Sequence, residues 1–347
     1  MPSPKPKPGS DRPVLVTGAT GFVGGHLVRA LVKDGEQVRV LTRSAETTGG
    51  LPPGVDVRVG DITDTGIVSG AVEGVSTIYH LAAAYRSAAH REEGYRLINV
   101  GITRNLLEAA ARGGVERFVH CSTVGVHGDV TDPPADEGTA FAPADAYQRT
   151  KLEAELLALS YARDRGLPVA VARPTAIYGP GDTRLLKMFK MVANGTFVML
   201  GWRDIYYHMV YVDDLLQGLR LLASHPSATG EVFILGGERY YRLKAIVGMI
   251  AGLLGVRRPR LRLPALPFQM IGSLCETICV PLGIEPPIYR RRVDFFTKSR
   301  AFSIDKARRV LGYSPQVPLE VGLRRTLDWY LDQGQIRPGR AASLGGG

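Results

Sequence analysis

The sequence predicts an α/β protein, a doubly wound parallel sheet followed by a smaller, mixed α/β C-terminal lobe. Three observations carry this reading. From Val14 to Arg173 short apolar runs alternate with amphipathic helical patterns, the spacing of strand–helix–strand crossovers. The first run, Val14-Leu15-Val16, breaks into the glycine-rich stretch Thr17-Gly18-Ala19-Thr20-Gly21-Phe22-Val23-Gly24. After Gly179-Pro180-Gly181 the strand–helix rhythm changes.

Behind the glycine stretch, Leu27, Val28, Leu31 and Val32 mark one face of a helix over 23–34. Strands are expected at 14–16, 38–41, 55–59, 76–80, 116–121 and 168–172, with further helices near 92–112 and 146–165. In the second half the pattern predicts helices near 184–194, 213–224, 241–254, 305–311 and 319–333, mixed with short strands at 197–200 and 231–235. The expected organisation is a leader over 1–12, a dinucleotide-binding domain over 13–180, a substrate lobe over 181–335 interleaved with the sheet, and a tail over 336–347.

At 347 residues, with 45% hydrophobic and 22% charged residues, the composition is that of a globular protein with a large core. No apolar run reaches the length of a membrane span. The proline-rich, polar start lacks the apolar core of a signal peptide, so a cytoplasmic protein is expected. The three cysteines form no CxxC or His/Cys cluster, which argues against disulfides and zinc. His26, His80, His120, His127 and His208 show no ligand spacing, and no metal site is expected. His80 and His120 read as packing or cofactor-lining residues. Residues 257–325 hold fourteen Lys/Arg against five acids, most of the net charge of +10. That excess is not interleaved with stacking aromatics, which argues against nucleic-acid binding.

The glycine stretch carries the first chemistry. A helix N-terminus presents unpaired N–H groups and the positive end of a dipole, so this turn can hold a pyrophosphate. Gly18 and Gly21 allow a tight turn and close approach, and Gly24 permits close helix–strand packing. Tyr147-Gln148-Arg149-Thr150-Lys151 opens another helix, and a spacing of four puts phenol and ammonium on one face. A neighbouring Lys⁺ favours phenolate, which suits Tyr147 to exchange a proton with a substrate hydroxyl. The strand 116–121 ends in Ser122-Thr123, where a hydroxyl can hydrogen-bond a substrate oxygen. Asn99, a poor helix residue, either bridges water or backbone in a relay or is simply tolerated.

Taken in order, these residues resemble an extended short-chain dehydrogenase/reductase, the group of NAD-dependent epimerases, dehydratases and 3β-hydroxysteroid dehydrogenases with a Rossmann sheet. The resemblance runs from residue 13 to about 333. It includes Thr17–Gly24, Asp61-Ile62, Tyr79-His80-Leu81-Ala82-Ala83, Asn99-Val100, Ser122-Thr123, Tyr147 with Lys151, Arg173-Pro174-Thr175 and Tyr178-Gly179-Pro180-Gly181. Val210-Tyr211-Val212-Asp213-Asp214-Leu215 and Ser303–Arg308 belong to it too. It implies that Tyr147 is the catalytic acid/base, that Lys151 binds the ribose and tunes Tyr147, and that Thr123 rather than Ser122 polarises the substrate oxygen. It further implies that Gly18, Thr20, Gly21, Phe22, Val23 and Gly24 hold the pyrophosphate and that Asp61 and Ile62 flank adenine. Leu81, Ala82, Ala83 and Asn99 would line the cofactor channel, with Pro174 and Ile177 near the nicotinamide. The implied reaction interconverts a secondary alcohol and a ketone.

Where NAD-preferring members place an acid, this chain has Thr42, followed by Arg43 and Ser44 that can receive a 2′-phosphate. NADP is therefore favoured over NAD, although Arg43 can instead stack on adenine. The dehydratase Asp-Glu pair is replaced by Val124-Gly125, which argues against sugar dehydration. Tyr207-His208-Met209-Val210 stands where nucleotide-sugar epimerases place an Arg-Asp before the Val-Asp-Asp element, and Ala176-Ile177 where they often carry Asn. Arg184, Arg203 or Arg292 can compensate. A sterol-like or other apolar substrate is the leading expectation, a nucleotide-sugar 4-epimerase with tightly held NAD the alternative, and a non-catalytic NAD(P)-binding regulator a remote third. The apolar segment 263–284, with its helical part expected between Pro267 and Pro281, is open to three readings: pocket roof, dimer contact or peripheral membrane contact. A small-molecule substrate and a homodimeric assembly complete the expected partners.

Overall fold

Seven parallel strands build the central sheet: β1 (Val14–Thr17), β2 (Val38–Thr42), β3 (Asp56–Val59), β4 (Thr77–His80), β5 (Arg117–Cys121), β6 (Val169–Pro174) and a strand from the second half, Val232–Leu235. Their spatial order, from Val232–Leu235 inward, is that strand, β6, β5, β4, β1, β2, β3. The structure is a computed structural model that describes residues 12–84, 92–279 and 296–336. All expected strands of the first half are present within one or two residues. β6 is buried at every position, as a strand covered on both faces must be, and such strands read as continuous apolar runs.

Helices cover both faces. α1 (Phe22–Lys33) packs on one, where Leu27, Val28 and Leu31 meet Val14, Val16 and Tyr79. The other face carries α2 (Thr65–Val72), a short α3 (Glu92–Arg96), α4 (Ile102–Arg112) and α5 (Ala146–Arg165) over Leu15, Ile78, Phe118 and Val169. α2 is absent from the sequence expectations because Gly66 and Gly70 dilute its periodicity. Its signal is the cap, since the Asp64 carboxylate accepts from the N–H groups of Gly66 and Ile67 at 2.7 and 3.1 Å.

The continuous helix expected over 92–112 is corrected. A π-helical turn, Leu97–Gly101, separates α3 from α4. It turns Asn99 inward, where its Oδ1 accepts from Ala84 N at 2.8 Å and its Nδ2 donates to Thr150 Oγ1 at 3.0 Å. Asn99 thus bridges a backbone amide and a threonine side chain. Such widened turns appear where a side chain must be re-aimed.

The second half runs through β7 (Ala176–Tyr178), α6 (Leu186–Ala193), β8 (Met199–Leu200), β9 (Tyr206–Tyr207), β10 (Met209–Tyr211), α7 (Val212–Ser224), β11 (Val232–Leu235), β12 (Tyr241–Arg242), α8 (Leu243–Leu253), β13 (Arg262–Leu263), α9 (Ala265–Cys279), α10 (Asp305–Leu311) and α11 (Leu319–Asp332). β11 closes the edge of the main sheet against β6, and α7 covers it. The end of strand–helix alternation near 180 is thus not the end of the sheet. β7–β10, β9–β12 and β8–β13 form three two-stranded pairs, and a second core gathers Phe189, Tyr211, Ile250 and Tyr330. Asp214 of the Val210–Leu215 element stitches this lobe together, its carboxylate accepting from Gln316 N and Val317 N at 2.7 and 3.1 Å. α9 starts at Ala265 rather than after Pro267, because proline costs nothing in a first turn where its missing N–H would have no partner. Residues 280–284, and with them Pro281, lie outside the described residues.

His80 and His120 sit side by side on β4 and β5, buried beneath the helices, with ring centroids 5.4 Å apart. His80 bonds Thr17 and Thr103 at 2.8 and 2.9 Å, so it is a packing residue rather than a cofactor-lining one. Neither ring nitrogen of His120 has a partner among the described residues. Burial depresses both, His80 to about 3 and His120 well below its ordinary value, with Lys151 adding to each. Their native pKa values lie below the unfolded 6.5, so stability present above pH 6.5 is lost as the unfolded chain takes up protons in acid. Each histidine steepens that loss by about 1.4 kcal/mol per pH unit. His120→Leu is expected to flatten it. The unfolding free energy from urea titrations should gain on wild type at pH 5 by roughly 2 kcal/mol more than at pH 7.5.

Candidate active site

The loop after β1 meets the loop after β4. Gly18 has φ +74°, and a side chain there would strike Ala82 N at 2.8 Å. A Cβ on Gly24 would collide with the Gly18 carbonyl. Gly18 is therefore packed backbone to backbone against Leu81-Ala82 on one side and Gly24 on the other. Gly21 caps α1 in extended conformation, with its N–H on Gly18 O at 3.0 Å. The amides of Phe22, Val23 and Gly24 have no partner within the helix. No side chain caps this end and its first turn carries no acid. A cradle closed to any Cβ and presenting bare amides fits the pyrophosphate of a dinucleotide.

A groove of about 430 Å³ borders this cradle, lined by Thr20, Gly21, Phe22, His26, Arg29 and Trp329 among others. His26 bonds Pro180 O at 2.8 Å and Arg29 bonds Gly50 O at 3.2 Å. The sequence reading gave His26, Arg29 and Trp329 no site role. Positions 22, 26 and 29 share one helix face, and that spacing is the signal that could have found the first two.

Arg43 is exposed at the end of β2. Its neighbour Ser44 accepts from Glu46 N at 3.1 Å, and Thr42 Oγ1 bonds Ser44 O and Thr47 Oγ1. Asp61 stands on the same rim, also exposed. Its carboxyl is held below the usual range by the Thr63 N–H at 2.9 Å, then by the Thr63 hydroxyl, with Arg43 adding a weaker pull. Ile62 beside it is buried.

The residues expected to handle a proton lie at the start of α5 and just after β5. Asp145 caps α5 by accepting from Gln148 N at 2.8 Å, and Gln148 reaches back to Ala144 N at 2.7 Å. This cap sets Tyr147 in the first turn and Lys151 one turn later. Lys151 is buried and donates to the Cys121 carbonyl at 2.6 Å, tying the helix to the end of β5. Burial lowers its pKa, opposed by Cys121 and Glu155. Tyr147 is half-buried with its ring edge-on to Tyr95 at 6.4 Å. Thr123 follows β5, and its Oγ1 accepts from Gly125 N at 3.0 Å, so its proton is directed to a different acceptor. Ser122 Oγ is buried without a partner among the described residues.

One guanidinium joins these pieces. Arg173, at the end of β6, donates to both carboxylate oxygens of Glu155 at 3.1 Å, to Glu137 O at 3.1 Å, and bonds His127 Nε2 at 3.0 Å. Both members of the Arg173–Glu155 ion pair are buried. Glu155 had no place in the sequence reading. Pro174 is buried directly after Arg173, and Ile177 is half-buried on β7. Of the cations offered as substitute diphosphate ligands, Arg184 is held by Asp182 at 2.6 Å and Ile177 O at 2.7 Å. Arg203 reaches Thr131 O at 3.4 Å, and Arg292 lies outside the described residues.

A model of the NAD-dependent epimerase/dehydratase family matches residues 14–236. The chain is 33% identical to a 3β-hydroxysteroid dehydrogenase/Δ5→4-isomerase of Mycobacterium tuberculosis, covering 92% of this chain and 90% of that one. It is 30% identical to a decarboxylating sterol-4α-carboxylate 3-dehydrogenase of Schizosaccharomyces pombe, covering 91% and 96%. Among solved structures, a UDP-glucuronic acid 4-epimerase of Bacillus cereus in complex with NAD superposes with a TM-score of 0.75 at 25% identity, over 92% of this chain and 99% of the other. The chain belongs to the NAD-dependent epimerase/dehydratase family and is an NAD(P)-dependent oxidoreductase/epimerase of the extended short-chain dehydrogenase/reductase type.

Proposed function

We propose that the enzyme interconverts a secondary alcohol and a ketone on a sterol-like or other apolar substrate. The observation that supports this is that Lys151, one turn after Tyr147 on α5, donates to the carbonyl of Cys121 at the end of β5, two residues before Thr123. Thr123 would donate a hydrogen bond to the substrate oxygen and polarise it. Tyr147 takes the hydroxyl proton in oxidation and returns it in reduction, while the buried Lys151 charge favours its phenolate. A bound nicotinamide supplies hydride acceptance or donation at its C4. The cradle of Gly18, Thr20, Gly21, Phe22, Val23 and Gly24 would hold its pyrophosphate, Asp61 and Ile62 the adenosine end, and Ala82, Ala83, Pro174 and Ile177 the nicotinamide end.

Two features support an apolar substrate. Two of the relatives carry steroid or sterol names, and Arg184, a candidate diphosphate ligand, is already engaged by Asp182 and a carbonyl. Turnover of 3β-hydroxysterols with net appearance of reduced cofactor tests the reading. Inactivity with these and conversion of UDP-sugars without net cofactor consumption would replace it with the nucleotide-sugar 4-epimerase reading that the Bacillus cereus neighbour favours.

The preference for NADP rests on Arg43 standing exposed beside Asp61 with no acid at Thr42. Fluorescence titration is expected to show tighter binding of NADP than of NAD. Arg43→Ala should weaken NADP about tenfold, the worth of one charge-assisted contact, and leave NAD little changed. Tighter binding of NAD would reverse the assignment. A cytoplasmic homodimer completes the proposal, checked by cell fractionation and light scattering.

A further inference from the structure

The second lobe carries an exposed apolar surface made of residues to which the proposed reaction assigns no role. Trp202 is 66% exposed, Leu266 and Met270 are each 65% exposed, and Leu261 and Ile271 are exposed beside them. The fold gathers them. Pairing of β13 with β8 puts Gly201 N on Leu263 O at 2.8 Å. Arg262 donates to Trp202 O at 3.2 Å, and a Cβ on Gly201 would touch Ala265 Cβ at 3.8 Å. The turn carrying Trp202 therefore lies on the start of α9, where Leu266 and Met270, four apart, share a face.

Around this patch the charge is predominantly positive. Residues 239–275 contain seven Lys/Arg and no Asp or Glu. Arg242 and Lys244 are paired with Asp204, whereas Arg203, Arg257, Arg258 and Arg260 are exposed. A contiguous exposed patch of Trp, Leu, Met and Ile marks an interaction site. A second copy docked face to face would bring these arginine-rich rims together, which like-charge repulsion opposes. An anionic bilayer neutralises them and takes Trp and Leu at headgroup depth. No helix among the described residues is long and apolar enough to cross a membrane, and the 15 residues of α9 suit it to lie flat.

We propose that this patch and its arginine rim dock the enzyme on an anionic phospholipid surface. The assignment rests on the patch alone and not on the redox reading, and its tests measure binding without turnover. The full chain should co-sediment with phosphatidylcholine vesicles containing phosphatidylserine, bind those of phosphatidylcholine alone far more weakly, and be released by salt. Each of Arg257→Gln, Arg258→Gln and Arg260→Gln should weaken binding about fivefold. The double variant Leu266→Glu/Met270→Glu should weaken it at least about tenfold.

The chain has two tryptophans, so the emission difference between wild type and Trp202→Phe isolates Trp202. That difference should shift to the blue with phosphatidylserine vesicles, a result that needs no charged variant to fold. Failure of the wild-type chain to sediment, an unshifted Trp202 signal, or unchanged binding of the double variant would overturn the proposal. Conversion of a lipid-free oligomer to monomer by the double variant would also overturn it, because the patch would then belong to a second copy.

Discussion

Tyr147→Phe is expected to lower kcat/KM by about 10²–10⁴-fold, the range that one positioned acid/base supplies. The dissociation constant of the nicotinamide cofactor should stay near the wild-type value. The phenol hydroxyl is the atom removed, while the cap of α5 remains. Asp145 still accepts from Gln148 N, Lys151 still donates to the Cys121 carbonyl, and the ring keeps its edge-on contact with Tyr95. Lys151→Met should differ in kind. It removes a buried cation whose pKa burial already lowers, so activity should fall, and cofactor binding should weaken with it if Lys151 holds the ribose as the resemblance implies. Steady-state kinetics paired with cofactor titration separates the two patterns. A Tyr147→Phe enzyme with full activity would remove the acid/base assignment, and Thr123 would then be the next hydroxyl to test.

The sheet was legible because strands buried on both faces read as unbroken apolar runs, as Val14-Leu15-Val16 and Val169–Ala172 do. The glycine cradle and the Tyr147/Lys151 pair were legible because each lies within a few residues of chain, where spacing translates directly into geometry. What escaped depends on contacts between distant segments. The π-helical turn at Leu97–Gly101 leaves the apolar pattern of 92–112 almost intact, and only the inward path of Asn99 to Ala84 and Thr150 explains it. Lys151 was expected beside a ribose, and its bond to a backbone carbonyl thirty residues away is invisible in a motif. Trp202 and Leu261 were passed over because a two-residue strand pair, β8–β13, brings them to α9. Glu155 was not singled out because its partner Arg173 arrives on β6, in a separate element of the chain.

That ion pair has the largest expected effect on stability. Arg173 joins the end of β6, which leads into Pro174, to α5 one turn beyond Lys151, and through His127 and Glu137 O to the segment that follows Thr123. The Phe141 ring packs 5.1 Å from the guanidinium carbon. Both charges are out of water, so removing one strands the other. Arg173→Met or Glu155→Gln should each cost about 3–5 kcal/mol, the range for breaking a buried pair, and lower Tm by roughly 4–7 °C. Arg173→Met/Glu155→Met should be less destabilised than the sum of the single variants, because no unpaired charge remains. Glu155→Gln keeps the shape and can still accept from the guanidinium, so it should retain a melting transition in which activity can be read. Its kcat should fall more than its affinity for cofactor, since the loss loosens Thr123 and Lys151 relative to each other while the glycine cradle on β1 keeps its contacts. Additive losses in the double variant would show that the two charges act separately, and Arg173 would then hold its strand through His127 and the Glu137 carbonyl alone.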